Sequence, residues 1–159
     1  MNVLLAGMAG ETSTQMKTNP DTRYQVLANF DGSCAPVNPG GVGGWGFVLH
    51  GDSPIAGYGS LPASPEMTNN VAEYTGALEA VTAYVWHGFT APLVVRGDSK
   101  LVVQQMSGLW RVKHGHYVPI YQRLRDLIDA YEVDVRWVWV PREDNKEADL
   151  LSRAAADAV

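Results

Sequence analysis

Four carboxylates stand at places where the sequence predicts strand ends or helices, and their type and spacing suggest chemistry. Asp31 closes the first predicted strand and Asp98 closes the fourth. Glu73 lies in the first turn of a long predicted helix, and Asp149 lies in the last helix. Because open α/β sheets bind ligands at the carboxyl ends of their strands, these residues predict a site at that edge.

Each carboxylate also has a structural interpretation, which is the commoner one for a residue taken singly. Asn70 and Glu73 could form a capping pair at the helix start. Asp98 could cap the helix that begins at Ser99, and Asp149 could lie on a solvated helix face. Only the combination of the four favours a functional interpretation.

That combination predicts a cation site. Strands one and four can be neighbours in the sheet, which would bring Asp31 and Asp98 together. Clustered carboxylates repel one another and stay ionised only with cations between them. Hard oxygen ligands in this number suit Mg²⁺ or Mn²⁺, whereas a single cysteine and no paired-histidine motif argue against zinc. Two Mg²⁺ ions held in this way can carry out phosphoryl displacement.

Hydrophobic periodicity indicates the elements that must position these residues. Alternating or short apolar runs predict strands at 24–31, 45–50, 55–60, 92–98 and 133–140. Apolar stripes at helical spacing predict helices at 68–87, 99–106, 119–130 and 144–156. The order βββαβααβα predicts a mixed sheet, in which an antiparallel meander precedes strands that helical crossovers make parallel. Trp137 and Trp139, on one face of the last strand, are predicted packing residues.

Composition limits the class of protein. The chain has 159 residues and a mass of 17.3 kDa, with 46% hydrophobic and 18% charged residues, which is typical of one globular domain. One cysteine excludes a disulfide framework. No apolar run reaches the roughly 20 residues of a membrane span, and the N-terminus is a poor signal peptide. We therefore expect a cytoplasmic protein with no membrane partner.

The charges are unevenly distributed. The net charge is −5, but residues 99–125 contain no acidic residue and five lysines and arginines. This segment of +5 belongs to a chain that is otherwise −10, because −10 and +5 give the total of −5. The pattern predicts a local basic surface on an acidic body.

Four segments carry a family resemblance: FDGSCAPVNPG at 30–40, TNNVAEYTGALEA at 68–80, GDSKLVVQQMSG at 97–108 and PREDNKEADLLSRAA at 141–155. In this order and spacing they resemble ribonuclease H of type 1, over about residues 24–157. The resemblance implies an α/β ribonuclease H-like fold with a five-stranded mixed sheet and helices on both faces. Its first three strands would be antiparallel and its last two parallel. The catalytic domain would span 23–159, after an N-terminal extension at 1–22 that is expected to be mobile.

The resemblance assigns roles to particular positions. The family's catalytic, metal-binding carboxylates match Asp31, Glu73, Asp98 and Asp149. Positions that face the nucleic-acid backbone and the RNA 2′-hydroxyls match Cys34, Asn38, Asn70 and Ser99. Thr68 stands where the family grips a phosphate of the DNA strand. The remaining expected substrate contacts are cationic, namely Lys100, Arg111 and Lys113.

The sequence departs from the family pattern in several places, and two of them bear on substrate binding and catalysis. Many members have an extra helix and a basic loop that hold the hybrid, but here only residues 108–116 connect the elements. The chain therefore resembles the short prokaryotic and archaeal form, and substrate affinity is expected to be modest. Many members also have a histidine before the last carboxylate. Here Arg142 is the expected occupant of that catalytic role, and the alternative is an exposed arginine paired with Glu143 or Asp144.

The resemblance implies an endoribonuclease that hydrolyses the RNA strand of RNA–DNA hybrids. Two Mg²⁺ ions, with Mn²⁺ as a substitute, would support cleavage to a 5′-phosphate and a 3′-hydroxyl. The expected partner is the hybrid alone, bound by a monomer with no obligatory protein partner. Two alternatives stay open: another nuclease of the same fold, resolvase-like or transposase-like, and a hybrid-binding module without catalysis.

Overall fold

The computed structural model describes residues 24–159. The extension at 1–22 and the domain boundary at 23 lie outside these residues. The strands are β1 Val26–Ala35, β2 Val42–Leu49, β3 Ile55–Leu61, β4 Leu93–Gly97 and β5 Val135–Trp139. The helices are α1 Asn69–Trp86, α2 Lys100–Met106, α3 Val118–Ala130 and α4 Lys146–Asp157, with a short 3-10 helix at Arg142–Asp144. The predicted order of strands and main helices is confirmed.

The sheet has five strands in the order β3-β2-β1-β4-β5. β1 pairs with β2, and β2 with β3, in antiparallel orientation. β4 runs parallel to β1 and β5 runs parallel to β4. The α/β fold class and the mixed sheet expected from the sequence are therefore confirmed, and β1 lies at its centre.

β1 is longer than its sequence pattern predicts, so Asp31 does not close it. Parallel pairing with β4 stops at the Asn29–Arg96 pair, but antiparallel pairing with β2 continues to Ala35 and Val42. The pairing partner β2 decides the length of the strand, and the local sequence does not. Asp31 consequently lies just beyond the point where β4 separates from β1.

The two faces of β1 contact different helices. Asn29 and Asp31 bond to side chains of residues 145 and 152, at the start of α4 and within it. Gly32 faces the other way, and a Cβ there would overlap the α1 backbone at Ala72 and Glu73. Because successive residues of a strand face opposite sides, α1 and α4 cover opposite faces of the sheet.

The main core lies between the sheet and α1. Phe30 and Tyr74 are fully buried there, and Phe30 packs edge-on against Trp137 with ring centroids 6.3 Å apart. Tyr74 stacks on Tyr117 at 5.3 Å and donates a hydrogen bond to Gln105 Oε1 at 2.6 Å. The helices of residues 24–159 include none that is long and apolar enough to cross a bilayer.

Close backbone contact sets the positions of the two helices that flank β1. A Cβ at Gly44 of β2 would overlap the backbone of α4 at Ser152, in the same way that Gly32 approaches α1. Only glycine allows a helix to approach a strand so closely. The helices that carry Glu73 and Asp149 are therefore held directly against the strands beside Asp31.

Candidate active site

Three carboxylates from three elements meet beside the centre of the sheet. Asp31 comes from β1, Glu73 from α1, and Asp98 follows β4. One carboxylate oxygen from each lies within 4.8 Å of the others. They line a polar cavity of about 290 Å³ that Arg142 and Asp149 also line. The structure thus brings together all five of the predicted catalytic residues.

The structural interpretations of Glu73 and Asp98 are wrong. Thr68 is the N-cap of α1 and accepts a hydrogen bond from the Val71 amide at 3.2 Å, so Glu73 lies in the second turn and caps nothing. Ser99 is the N-cap of α2 and accepts from the Val102 amide at 3.3 Å, which leaves Asp98 outside the helix. Thr68 and Ser99 therefore cap the two helices, and neither carboxylate does.

Burial and mutual repulsion disfavour the ionised forms of two of these groups. Asp31 and Glu73 are each only 4% exposed. Burial, followed by the charges of Asp98 and Asp149, raises the pKa of Asp31 to about 8, although a hydrogen bond from Ser152 opposes the shift. Burial also raises the pKa of Glu73 well above its ordinary value, and Asp31 and Asp98 add to the effect. A bound cation would reverse this balance.

The donor set fits a hard divalent cation. Glu73 Oε2 is buried and has no hydrogen-bond partner in residues 24–159. An orphaned carboxylate oxygen inside a protein is costly unless a ligand satisfies it. No ion pair within the described part of the chain reaches Asp31, Glu73 or Asp98. Oxygen-only ligands at this separation favour Mg²⁺ or Mn²⁺ over softer metals.

Asp149 lies at the rim of this group and is bound by arginines. Its Oδ1 accepts from Arg153 Nε at 3.0 Å and from Arg142 Nη2 at 3.5 Å. The compact group of possible metal ligands in residues 24–159 comprises the other three carboxylates, without Asp149. Its role as a fourth metal ligand stays a prediction. Arg142 pairs with Asp149, and neither Glu143 nor Asp144 is its partner.

The predicted RNA-contact residues form one strip between the β1–β2 loop and the start of α1. Cys34 Sγ donates to the backbone oxygen of Val37 at 3.2 Å and lies 3.6 Å from that of Met67. Asn38 Oδ1 accepts from the Asn69 amide at 3.1 Å. These bonds tie the loop to the helix that carries Glu73. Thr68 and Asn70 belong to the same helix start, and Ser99 lines the cavity itself.

The cavity wall contains Asn69, whereas the sequence pattern points to its neighbour Asn70. Both belong to the first turn of α1. Consecutive helical residues differ by about 100° in direction, so only the helix start fixes which of the two faces the carboxylates. That start depends on Thr68 being the cap.

The predicted cationic contacts lie outside the cavity. Lys100 Nζ lies 5.0 Å from the ring centroid of Trp139, and Trp139 Nε1 donates to the backbone oxygen of Asp98 at 3.2 Å. Trp139 is 42% exposed, so its predicted role in packing is wrong, whereas Trp137 is buried. Arg111 and Lys113 are exposed on the loop between α2 and α3.

A second polar cluster, which sequence analysis missed, lies beside the first on the α4 side of the sheet. Asn145 is 1% exposed and donates to the Phe30 carbonyl at 2.9 Å. Asn29 Nδ2 donates to Asn145 Oδ1 at 2.8 Å, and Asn29 Oδ1 accepts from His50 Nε2 at 2.9 Å and Arg96 Nε at 3.1 Å. We call these four side chains the amide network. It fixes the start of α4, and thereby the helix that carries Asp149.

Comparison with known proteins defines the class. A family model described as Reverse transcriptase-like matches residues 29–155. Ribonuclease H of Halorhodospira halophila is 32% identical over 151 residues, which cover 86% of this chain and 96% of that protein. The chain belongs to the ribonuclease H family, and the resemblance seen in the sequence motifs is confirmed.

Two further relatives show the range of the family. A bifunctional protein of Mycobacterium tuberculosis is 39% identical over 134 residues, which are 84% of this chain. The chain spans only about a third of that relative, or 36% of its length. Among solved structures, LC11-RNase H1 in complex with an RNA/DNA hybrid superposes with a TM-score of 0.75 and is 27% identical. That match covers 84% of this chain and 97% of the other.

Proposed function

We propose that this protein is a ribonuclease H that cleaves the RNA strand of RNA–DNA hybrids endonucleolytically. The observation that carries the proposal is the group of Asp31, Glu73 and Asp98, with its orphaned buried oxygen on Glu73. Family membership and a superposable relative in complex with an RNA/DNA hybrid support the choice of substrate. Binding a hybrid without cleaving it would not require clustered, repelling carboxylates.

Asp31, Glu73, Asp98 and Asp149 would hold two Mg²⁺ ions, or Mn²⁺ in their place. Ions bound there would supply an activated water for in-line attack and stabilise the leaving oxygen, which yields a 5′-phosphate and a 3′-hydroxyl. The chain's own contribution is rigidity, because Asp31 lies in β1, Glu73 lies in α1 and Asp98 directly follows β4, all of them packed elements. Burial of Asp31 and Glu73 places these two carboxylates in a low dielectric, which would strengthen their interaction with a cation.

Arg142 and Arg153 line the same cavity beside Asp149 and would contact the scissile phosphate of the substrate. Arg142 keeps its positive charge at any working pH, so it cannot readily shuttle a proton. It can attract the scissile phosphate or help the product to leave. Two observations support this role: Arg142 lines the cavity, and it lies 3.5 Å from Asp149, a carboxylate for which a phosphate could exchange.

The protein would recognise the sugar-phosphate backbone of the hybrid, and therefore would have no sequence preference. The strip of Cys34, Asn38, Thr68, Asn70 and Ser99 offers small donors and acceptors, which suit 2′-hydroxyls and phosphates. Lys100, Arg111 and Lys113 would add phosphate charge contacts that weaken with salt. The short loop that carries Arg111 and Lys113 is consistent with modest affinity.

We also propose that residues 23–159 form the catalytic domain and that a cytoplasmic monomer acts without an obligatory protein partner. The lack of a long apolar helix in residues 24–159 is consistent with that environment.

Cleavage of end-labelled substrates tests the proposal. RNA–DNA hybrid, double-stranded RNA and double-stranded DNA are each incubated with Mg²⁺, Mn²⁺ or a chelator. We expect cuts within the RNA strand of the hybrid, dependent on either metal, and a 5′-phosphate on the products. Cleavage of DNA would instead favour another nuclease of the same fold. Tight hybrid binding without cleavage under any metal would show a binding module.

A further inference from the structure

Ser152 of α4 makes a short hydrogen bond to Asp31. Its side chain is fully buried, and its Oγ lies 2.5 Å from Asp31 Oδ2. The two residues are 121 positions apart in the sequence. A hydroxyl that donates to a carboxylate at this distance is a charge-assisted bond, about twice as strong as a neutral one.

The hydroxyl has one proton and two possible acceptors. Ser152 Oγ also lies 3.0 Å from the backbone oxygen of Asp149, one helical turn earlier. In the ionised form that cation binding requires, the Asp31 carboxylate lies at the shorter distance and is the stronger acceptor, so the proton points to Asp31. Asp31 Oδ2 is therefore occupied, and Oδ1 is the oxygen left for a cation.

The backbone around Ser152 cannot easily move away from Asp31. Ser33 Oγ of β1 donates to the Ser152 carbonyl at 3.2 Å, and the Gly44 backbone of β2 lies directly against the same turn. Contacts with β1 and β2 therefore fix the position of the Ser152 backbone. The fold thereby also fixes the direction from which the hydroxyl approaches Asp31.

The other buried residues of α4 show that packing does not require a hydroxyl at this position. They are all alanines, at positions 148, 155 and 156. An alanine at position 152 would continue the same surface with the loss of one oxygen atom. What the serine adds is its bond to Asp31.

We propose that Ser152 is a positioning residue for the metal site, which holds the Asp31 carboxylate in one orientation and directs Oδ1 towards the cation. The inference rests on the proposed function, because it assigns Asp31 as a metal ligand. Outer partners of this kind orient the ligand before the ion arrives, and their loss usually weakens metal binding by about 10–100-fold.

Calorimetric titration with Mg²⁺ tests this in the 159-residue chain. For Ser152→Ala we expect Mg²⁺ affinity to fall by about 10–100-fold. The Mg²⁺ concentration for half-maximal hybrid cleavage should rise by a similar factor, while turnover at saturating Mg²⁺ changes much less. Thr82→Ala is the matched control, because the Thr82 hydroxyl bonds to the Leu78 carbonyl of its own helix, far from the carboxylates. It should keep the affinity of the unaltered protein.

Thermal unfolding without metal separates positioning from a structural role. A lowered unfolding temperature for Ser152→Ala with unchanged Mg²⁺ affinity would assign the hydroxyl to stability and overturn the inference. If that variant does not fold, Ser152→Cys replaces it with a weak donor of similar size, for which reduced Mg²⁺ affinity is again expected and unchanged affinity overturns the inference. Failure of the unaltered protein to bind Mg²⁺ or to cut hybrid would instead contradict the proposed function itself.

Discussion

Asn29 and Asp31 are two residues apart on one face of β1 and are equally buried, at 4% exposure. Their surroundings differ, because Asn29 lies among hydrogen-bond partners and Asp31 lies among other carboxylates. Asn29 belongs to the amide network, in which its donor and its acceptor both have partners within 3.1 Å. Asp31 faces other carboxylates, and one of them has an oxygen without a partner in residues 24–159. Asn29 contacts Asn145, the N-cap of α4, and Asp31 contacts Ser152 within the same helix.

The amide network stabilises the fold because its polar groups bond to one another. The carboxylate cluster includes a buried oxygen that lacks such a partner in residues 24–159 and needs a ligand. In the amide network, burial and the charge of Arg96 lower the pKa of His50, so the imidazole is neutral and donates without adding a buried charge. In the carboxylate cluster, three acidic side chains lie together without an ion pair to a cation of residues 24–159, and burial and mutual repulsion raise the pKa of Asp31 and Glu73. Groups that are left unsatisfied in this way mark functional sites.

The largest effect is expected from Asp98→Asn. Turnover on hybrid should fall by at least ~10³-fold, about 4 kcal/mol on the rate scale, because a charge is removed from the metal site. The metal-free protein should become more stable to heat, because Asp98 is one of the charges that raise the pKa of Asp31 and Glu73 and disfavour their ionised forms. Asp126→Asn, on the exposed side of α3, is the control and should change neither property. Full activity in Asp98→Asn would contradict the metal site.

Asn145→Ala should cause the largest loss of stability. It leaves Asn29 Nδ2 and the Phe30 carbonyl without these partners, so we expect the free energy of unfolding to fall by about 2–4 kcal/mol. Urea denaturation measures the change. Gln122→Ala removes an exposed side-chain hydrogen bond to Asp126 and should cost less than about 0.5 kcal/mol. Equal stability of the two variants would show that the amide network is not structural.

Arg142→Ala should lower turnover by ~10–100-fold, about 1.4–2.7 kcal/mol, because the cavity mouth no longer offers its phosphate partner. The dependence of cleavage on Mg²⁺ concentration should stay as it was, in contrast to Ser152→Ala. Asp31→Asn should lose far more turnover than Arg142→Ala. Unchanged turnover and metal dependence in steady-state kinetics would remove Arg142 from the site.

Removing Arg111 and Lys113 together should affect binding only. The Michaelis constant of the double alanine variant should rise, and the salt slope of hybrid binding should shrink by about one for each phosphate that is no longer neutralised. Fluorescence anisotropy at several salt concentrations measures both affinity and slope. Lys146→Ala, a cation at the start of α4, is the control. Identical affinity and slope would show that the loop cations are only a solvated surface.

The smallest effect expected is a pH dependence of stabilisation by Mg²⁺. The pKa of Asp31 is raised from an ordinary 3.8 to about 8, so the metal-free folded protein loses stability relative to the unfolded chain as pH rises through that window. A bound ion removes the repulsion that contributes to the loss. The increase in unfolding temperature on adding Mg²⁺ should therefore grow from low to high pH. A constant increase would contradict the coupling.

Sequence patterns were sufficient where the chemistry is local. Alternation and helical stripes predict the order of strands and main helices, and carboxylates beside strand ends predict the cluster. Sequence patterns fail where a residue far away in the chain determines the length of a strand or the contacts of a side chain. β1 passes Asp31 because β2 continues to pair with it, and Trp139 is half-exposed at the end of β5, which is an edge strand. Asn145 and Ser152 meet partners 115 to 121 residues away, and no nearby residue signals those contacts.

The distribution of the cavity residues along the chain has a consequence during synthesis. A ribosome releases the chain from its N-terminus, and β1, α1 and β4 emerge well before α4. Until α4 emerges, Asp149 and the hydroxyl that holds Asp31 are missing, and one face of β1 is uncovered. A ribosome-bound chain whose α4 has not yet emerged therefore carries an incomplete site, and the cavity is completed only when this helix packs on β1.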